Sequence, residues 1–254
     1  MLTPEQKQTI LLAMEPYMKL DKYGRTTIRN IYFDTDNYLL IRRSIDKPEY
    51  KEKLRIRSYG KAFPDSTVFV ELKKKYRNVV YKRRLSLPVC PAMEWVCGTQ
   101  CPDGTAMPAR AVNPAYIARA AQTPGSAQIA KEIDYFLTHY ENLRPAVFLS
   151  YAREAYYSKD KSDFRVTFDD TVLCRQNDLS LESEIYGTPL LPDGKVLMEL
   201  KCSGGIPLWM THVLSAEHIY KTSFSKYGTA YQSMIFPELQ NIKPHNFKEE
   251  ALHA

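Results

Sequence analysis

The sequence predicts an α+β protein: an antiparallel β-barrel with flanking helices, whose charged side chains turn inward to make a cationic tunnel. Three observations support this. Six short segments alternate charged and apolar residues at a strict two-residue period, the signature of strands with one charged face. Those faces carry ten cations, Lys53, Arg55, Arg57, Lys73, Lys75, Lys82, Arg84, Arg153, Arg165 and Lys201, against three acids, Glu71, Asp169 and Glu199. The whole chain is far more balanced, with 35 Lys plus Arg against 29 Asp plus Glu. With 254 residues and 44% hydrophobic content, it can bury the core of one large all-β or mixed domain. A surface so enriched in one sign repels itself and calls for an anion. The plainer alternative is a half-wet sheet whose cations pair across strands with Glu71 or Glu52.

The elements follow in order. Residues 3–19 read as a helix with Thr3 as N-cap and Pro4 at its first position. A turn at 21–24 leads into a strand at 27–34, and 34–46 reads as a short helix or turn capped by Asp36. Strands at 51–59, 67–75 and 79–87 come next, the last two joined as a hairpin across Tyr76, Arg77 and Asn78. The Pro-, Ala- and Gly-rich stretch 88–126 is irregular, with helical pieces near Met93 to Cys97 and Ala115 to Ala121. A helix at 127–140 makes 88–140 a helical insertion. Strands at 145–157, 163–173 and 195–202 and a helical region at 207–235 complete the chain. There is no internal repeat, so 1–254 is expected to be one domain.

Composition narrows the partners. A net charge of +6 and a pI near 8.9 are mild, so an acidic partner is inferred from local clustering. No apolar run approaches the ~20 residues that cross a bilayer, and the amino terminus lacks the pattern of a signal peptide, so a cytoplasmic protein is expected. Five cysteines, Cys90, Cys97, Cys101, Cys174 and Cys202, do not form a closed disulfide set and read as reduced thiols. His212 and His218 lack metal-ligand spacing. Nucleic acid is not expected, because the charged strands lack the surface aromatics that stack bases.

KEKLRIRSYG at 51–60, FVELKKKYRNVVYKRRLSLP at 69–88, RPAVFLSYAREAY at 144–156, FRVTFD at 164–169, LMELKCSGGIPLW at 197–209 and TSFSKYGTAY at 222–231 resemble the VTC domain. This is the polyphosphate polymerase domain of the vacuolar transporter chaperones, and the chain is similar to its stand-alone bacterial type. The family belongs to the triphosphate tunnel metalloenzymes, related to the CYTH proteins, so the resemblance implies an antiparallel barrel tunnel lined by basic residues. It implies catalytic contacts from Arg55, Arg57, Lys73, Arg153, Arg165 and Lys226. Substrate contacts would come from Lys53, Lys75, Lys82, Arg84, Tyr151, Lys201 and Ser225. Glu199 is the expected ligand of a divalent metal, joined by Glu71, with Asp169 a further candidate. Mn²⁺ or Mg²⁺ suits such oxygen ligands.

The implied activity is metal-dependent transfer of the terminal phosphoryl group of a nucleoside triphosphate, ATP being the expected donor, to growing inorganic polyphosphate. Positioning and charge neutralisation carry such a reaction without a protein nucleophile. The family also opens with a strand ahead of the first helix. Here Met1 stands immediately before the helix, so either the chain starts late or it lacks one wall of the tunnel. That leaves two alternatives: a tunnel triphosphatase, and a polyphosphate-binding module without catalysis.

Overall fold

The computed structural model describes residues 1–77, 79–97, 123–140 and 142–241. The expected helical piece at 115–121, the Asn78 turn position and Cys101 lie outside the described residues. Helix α1 (Pro4–Met14) opens on the expected cap: Thr3 Oγ1 accepts from the Gln6 amide at 3.1 Å, and Gln6 Oε1 accepts from the Thr3 amide at 3.0 Å. It stops at Met14, short of residue 19, because Pro16 has no N–H and its ring cannot follow the preceding turn. The residues beyond it form a strand the sequence did not suggest, β1 (Met18–Leu20).

Next come β2 (Thr26–Asp34), α2 (Leu39–Ile45), β3 (Tyr50–Tyr59), β4 (Thr67–Tyr76), β5 (Val79–Pro88), α3 (Val89–Cys97) and α4 (Pro124–His139). Then β6 (Arg144–Ser158), β7 (Arg165–Arg175), the short β8 (Thr188–Pro189) and β9 (Leu197–Lys201) complete the sheet. The expected helical region at 207–235 is broken into α5 (Leu208–Ala216), α6 (Lys226–Ala230), a π turn (Tyr231–Ile235) and α7 (Phe236–Asn241). Asp36 does not cap α2: it is exposed and pairs with Arg144 at 2.8 Å. The buried carboxylate of Asp34 does so instead, accepting from the amides of Leu40 at 2.8 Å and Ile41 at 2.9 Å.

All strand pairs are antiparallel, in the order β5-β4-β3-β2-β6-β7-β8, with β1 added on β6 and β9 on β7. Among the described residues β5 and β9 do not pair with each other, so the barrel is not closed by hydrogen bonds. The sheet nevertheless curls, since residues of β5 at one end and β9 at the other, with β4, β3, β2 and β6 between, line one cavity of about 1340 Å³.

The alternation read from the sequence decides which side is which. Leu54, Ile56, Val70 and Leu72 are fully buried on the convex side against α3 and α4. Phe164, Val166 and Phe168 pack with α1 and α5. A third cluster, with Ile28, Leu149, Tyr151, Tyr227 and Tyr231, ties α6 to the concave side of β2 and β6. The charged neighbours of the convex-side residues on β3 and β4 therefore face the cavity.

Candidate active site

Strand register places the charged residues in rows across β3, β4 and β5. Arg55 lies opposite Glu71, and Glu71 opposite Arg84. One step along, Lys53 lies opposite Lys73, and Lys73 opposite Lys82. Like charges directly opposite one another destabilise a sheet; Lys82 is relieved by its ion pair with Glu71, which leaves Lys53 and Lys73 facing each other without a carboxylate.

The other row is built around the anion Glu71, whose side chain is 1% exposed. Its Oε2 accepts from Arg55 Nε at 2.7 Å, and its Oε1 takes Lys82 Nζ at 2.7 Å and Arg84 Nε at 2.6 Å. Burial alone would raise the Glu71 carboxyl, but the Arg55, Arg57 and Lys82 charges hold it well below the usual carboxylate range. Asp169 on β7 is a second buried anion. Arg153 grips it with Nε at 2.6 Å and Nη2 at 2.7 Å, and Lys226 Nζ reaches it at 2.6 Å. Its carboxyl too is lowered, these two cations outweighing burial.

Around these pairs, Arg57 donates to Asn30 Oδ1 at 2.8 Å and to the Tyr151 hydroxyl at 3.0 Å. Lys53 Nζ donates to Ser225 Oγ at 3.1 Å, and burial pushes the amine down to about 8. Burial also lowers Lys73, and among the described residues no carboxylate lies within ion-pair distance of Lys73 or Lys75. Free lysines thus face the cavity, while the arginines are largely oriented by protein acceptors.

The structure brings together Lys53, Arg55, Arg57, Glu71, Lys73, Lys75, Lys82, Tyr151, Arg153, Glu199, Lys201, Ser225 and Lys226 around this one cavity. Arg84 and Asp169 support the wall through their ion pairs without lining it. Arg165 does not line it either. It is exposed at the start of β7, opposite Lys201 in register, with its guanidinium 4.7 Å from the Tyr157 ring centre.

Reading charges alone missed Asn30, Tyr32 and Asp34. They alternate along β2 on the same side as the tunnel cations, so the two-residue period was there, but none is a cation. Tyr227 and the cavity-lining Lys47 and Lys51 were also missed.

A divalent cation has limited protein ligands here. No cluster of three His, Cys, Asp or Glu side chains able to hold a metal occurs among the described residues. Glu71 and Asp169 already have their oxygens taken by cations, which is at odds with either of them sharing a metal. Glu199 is different: its side chain is 47% exposed, with Lys201 Nζ at 3.5 Å and Arg153 Nη2 at 3.8 Å. Thr167, directly opposite it, is buried with an unpartnered Oγ1. One available carboxylate fits a hard cation that fills its other positions with phosphate oxygens and water.

The curled antiparallel sheet and its inward cations define a protein with a basic, tunnel-like cavity. The VTC domain family model matches residues 2–235, and the chain belongs to that family. No curated protein sequence matches it significantly. Solved structures with a similar chain course include a candidate adenylate cyclase from Bacillus halodurans, with 14% identity over 89% of this chain and 90% of that one and a TM-score of 0.44. Another, from Hippeastrum, is a candidate adenylyl cyclase whose description gives it a dominant triphosphatase activity; it shows 14% identity over 91% of each chain and a TM-score of 0.47.

Proposed function

We propose that this chain is, over residues 1–254, a polyphosphate polymerase domain that transfers the terminal phosphoryl group of ATP or a related nucleoside triphosphate to a growing inorganic polyphosphate chain. The observation that carries this reading is the facing pair Lys53 and Lys73, with Lys75 next along the strand, none of which has a carboxylate within ion-pair distance among the described residues; a bound polyanion relieves their repulsion. Lys53, Lys73 and Lys75 hold phosphoryl oxygens on one wall, and Lys201, Ser225 and Lys226 hold them from the other. Arg55, Arg57 and Arg153 are set in place by Glu71, Asn30 and Asp169, so they present charge without reorganising at the moment of reaction. Arg165, beside Lys201 at the rim, draws the polyanion in.

A terminal oxygen of the acceptor chain bonds to the γ-phosphorus, the bond from that phosphorus to the β–γ bridging oxygen breaks, and the nucleoside diphosphate leaves with the electron pair. The acceptor arrives as an anion and needs no base. A water nucleophile would gain from one, yet Glu71 and Asp169 are tied up by cations, which favours transfer to phosphate over hydrolysis. A divalent cation such as Mn²⁺ or Mg²⁺ at Glu199 would neutralise part of the triphosphate charge.

The test is incubation with ATP and Mn²⁺, with products resolved on a gel stained for polyphosphate and free phosphate assayed in parallel. Long chains are expected. Free phosphate alone would make the protein a triphosphatase, and binding without turnover a polyphosphate-binding module.

A further inference from the structure

Tyr32 lines the cavity and lies directly opposite Arg55 in the β2–β3 register. Its hydroxyl accepts from Arg55 Nη1 at 2.8 Å, and among the described residues no protein atom accepts its own proton. Tyr227 differs: its hydroxyl proton goes to Asp34. The Tyr32 ring is fixed by stacking on Tyr227, with ring centres 5.0 Å apart and planes 30° apart. Arg55 uses Nε and Nη2 on Glu71 and Nη1 on Tyr32, so all three of its nitrogens are engaged by protein. A hydroxyl that accepts from a cation becomes a stronger donor in turn, so the pull of Arg55 passes through Tyr32 to whatever fills the cavity.

We propose that Tyr32 is a catalytic residue of this cavity, donating a hydrogen bond from its phenol to an oxygen of the bound triphosphate as negative charge builds on the departing diphosphate. The inference rests on the cavity being a triphosphate site. The proton stays on the phenol throughout, so no bond to Tyr32 forms or breaks. The groups facing it are Arg55, Arg57 and Lys53 from β3, Lys73 from β4, Tyr151 from β6 and Tyr227 from α6. Burial alone would raise the phenol, but the three cations bring it down to about 8 in the ligand-free cavity. A bound polyanion opposes those cations and keeps the phenol in the donating form.

Tyr32→Phe keeps the ring and its stacking but removes one acceptor from Arg55, so the variant should fold and melt somewhat below wild type. Its kcat for ATP consumption is expected to fall by about 100-fold, the usual effect of deleting one preorganised donor, with KM changed by less than about 3-fold. A second reading is the tyrosine ultraviolet difference spectrum on adding inorganic tripolyphosphate, expected in wild type and lost in Tyr32→Phe. An active wild type with an equally active variant, or a spectral change that survives in Tyr32→Phe, overturns the role of Tyr32 and leaves the function intact. A wild type that turns over no triphosphate overturns the functional reading, and this catalytic role with it.

Discussion

Tyr227 donates a hydrogen bond to the buried carboxylate of Asp34 at 2.9 Å, across 193 residues of sequence. The same carboxylate caps α2, so β2, α2 and α6 meet at one point. That contact holds in place the two residues before Tyr227: Lys226, bound to Asp169, and Ser225, bound to Lys53. We expect Tyr227→Phe to lower stability by about 1–2 kcal/mol, the effect of one buried charge-assisted hydrogen bond. Tripolyphosphate affinity should fall with it, since α6 loses its anchor. Thermal melting and calorimetric titration check both, and an unchanged affinity would detach α6 from the site.

The lysines and arginines of the wall should separate by their partners. Lys73→Met removes a cation with no carboxylate in ion-pair reach, so tripolyphosphate affinity should drop by about tenfold or more while the melting temperature holds or rises. Arg55→Met instead strips Glu71 and Tyr32 of a partner, and should cost about 3–5 kcal/mol of stability as well as affinity. If both variants behave alike in melting, the division into free lysines and framework arginines is wrong.

Removing the buried anion should have a distinctive signature. In Glu71→Gln, Arg55, Lys82 and Arg84 face one another without a counter-charge, and stability should fall by about 3–5 kcal/mol. Tripolyphosphate should then raise the melting temperature more in the variant than in wild type, because a bound ligand replaces the lost charge. Equal ligand-induced shifts would contradict this.

Polyanion binding should weaken as pH rises through about 8. Below that value Lys53 is protonated and Tyr32 neutral; above it Lys53 loses its positive charge and Tyr32 gains a negative one. Both changes lower the cavity charge, and a bound polyanion raises both values, so binding takes up protons. The logarithm of the affinity for tripolyphosphate should fall by up to about two per pH unit in this window. The slope should flatten in the Lys53→Met, Tyr32→Phe double variant, as read by titration at several pH values.

Glu199→Gln tests the metal. Glu199 is half-exposed and its ion pairs with Lys201 at 3.5 Å and Arg153 at 3.8 Å are long, so its amide should melt close to wild type. Metal-dependent turnover should fall by about 100-fold or more if this carboxylate is the cation's protein ligand. An active Glu199→Gln protein would remove it from that role.

How far each feature was legible depends on the distance over which it is set. The strands, the inward cations and the Thr3 cap were open to reading because a two-residue period and a capping box are local. The end of α1 was also local, in Pro16, but was outweighed by the apolar pattern around it. The strand β1 could not be seen, since three residues become a strand only by pairing with β6.

By itself the sequence determined the charged face, the apolar faces opposite it, and hence a concentrated basic surface on one side of the sheet. Only the tertiary structure decided which of those cations are neutralised and which are left free. Glu71 meets Arg55 across 16 residues and Arg84 across 13, and Asp169 meets Lys226 across 57, so strand register and the docking of α6 neutralise some cations and leave Lys73 and Lys75 without a carboxylate partner. Periodicity is a property of one backbone, whereas charge pairing is a property of which backbones lie side by side.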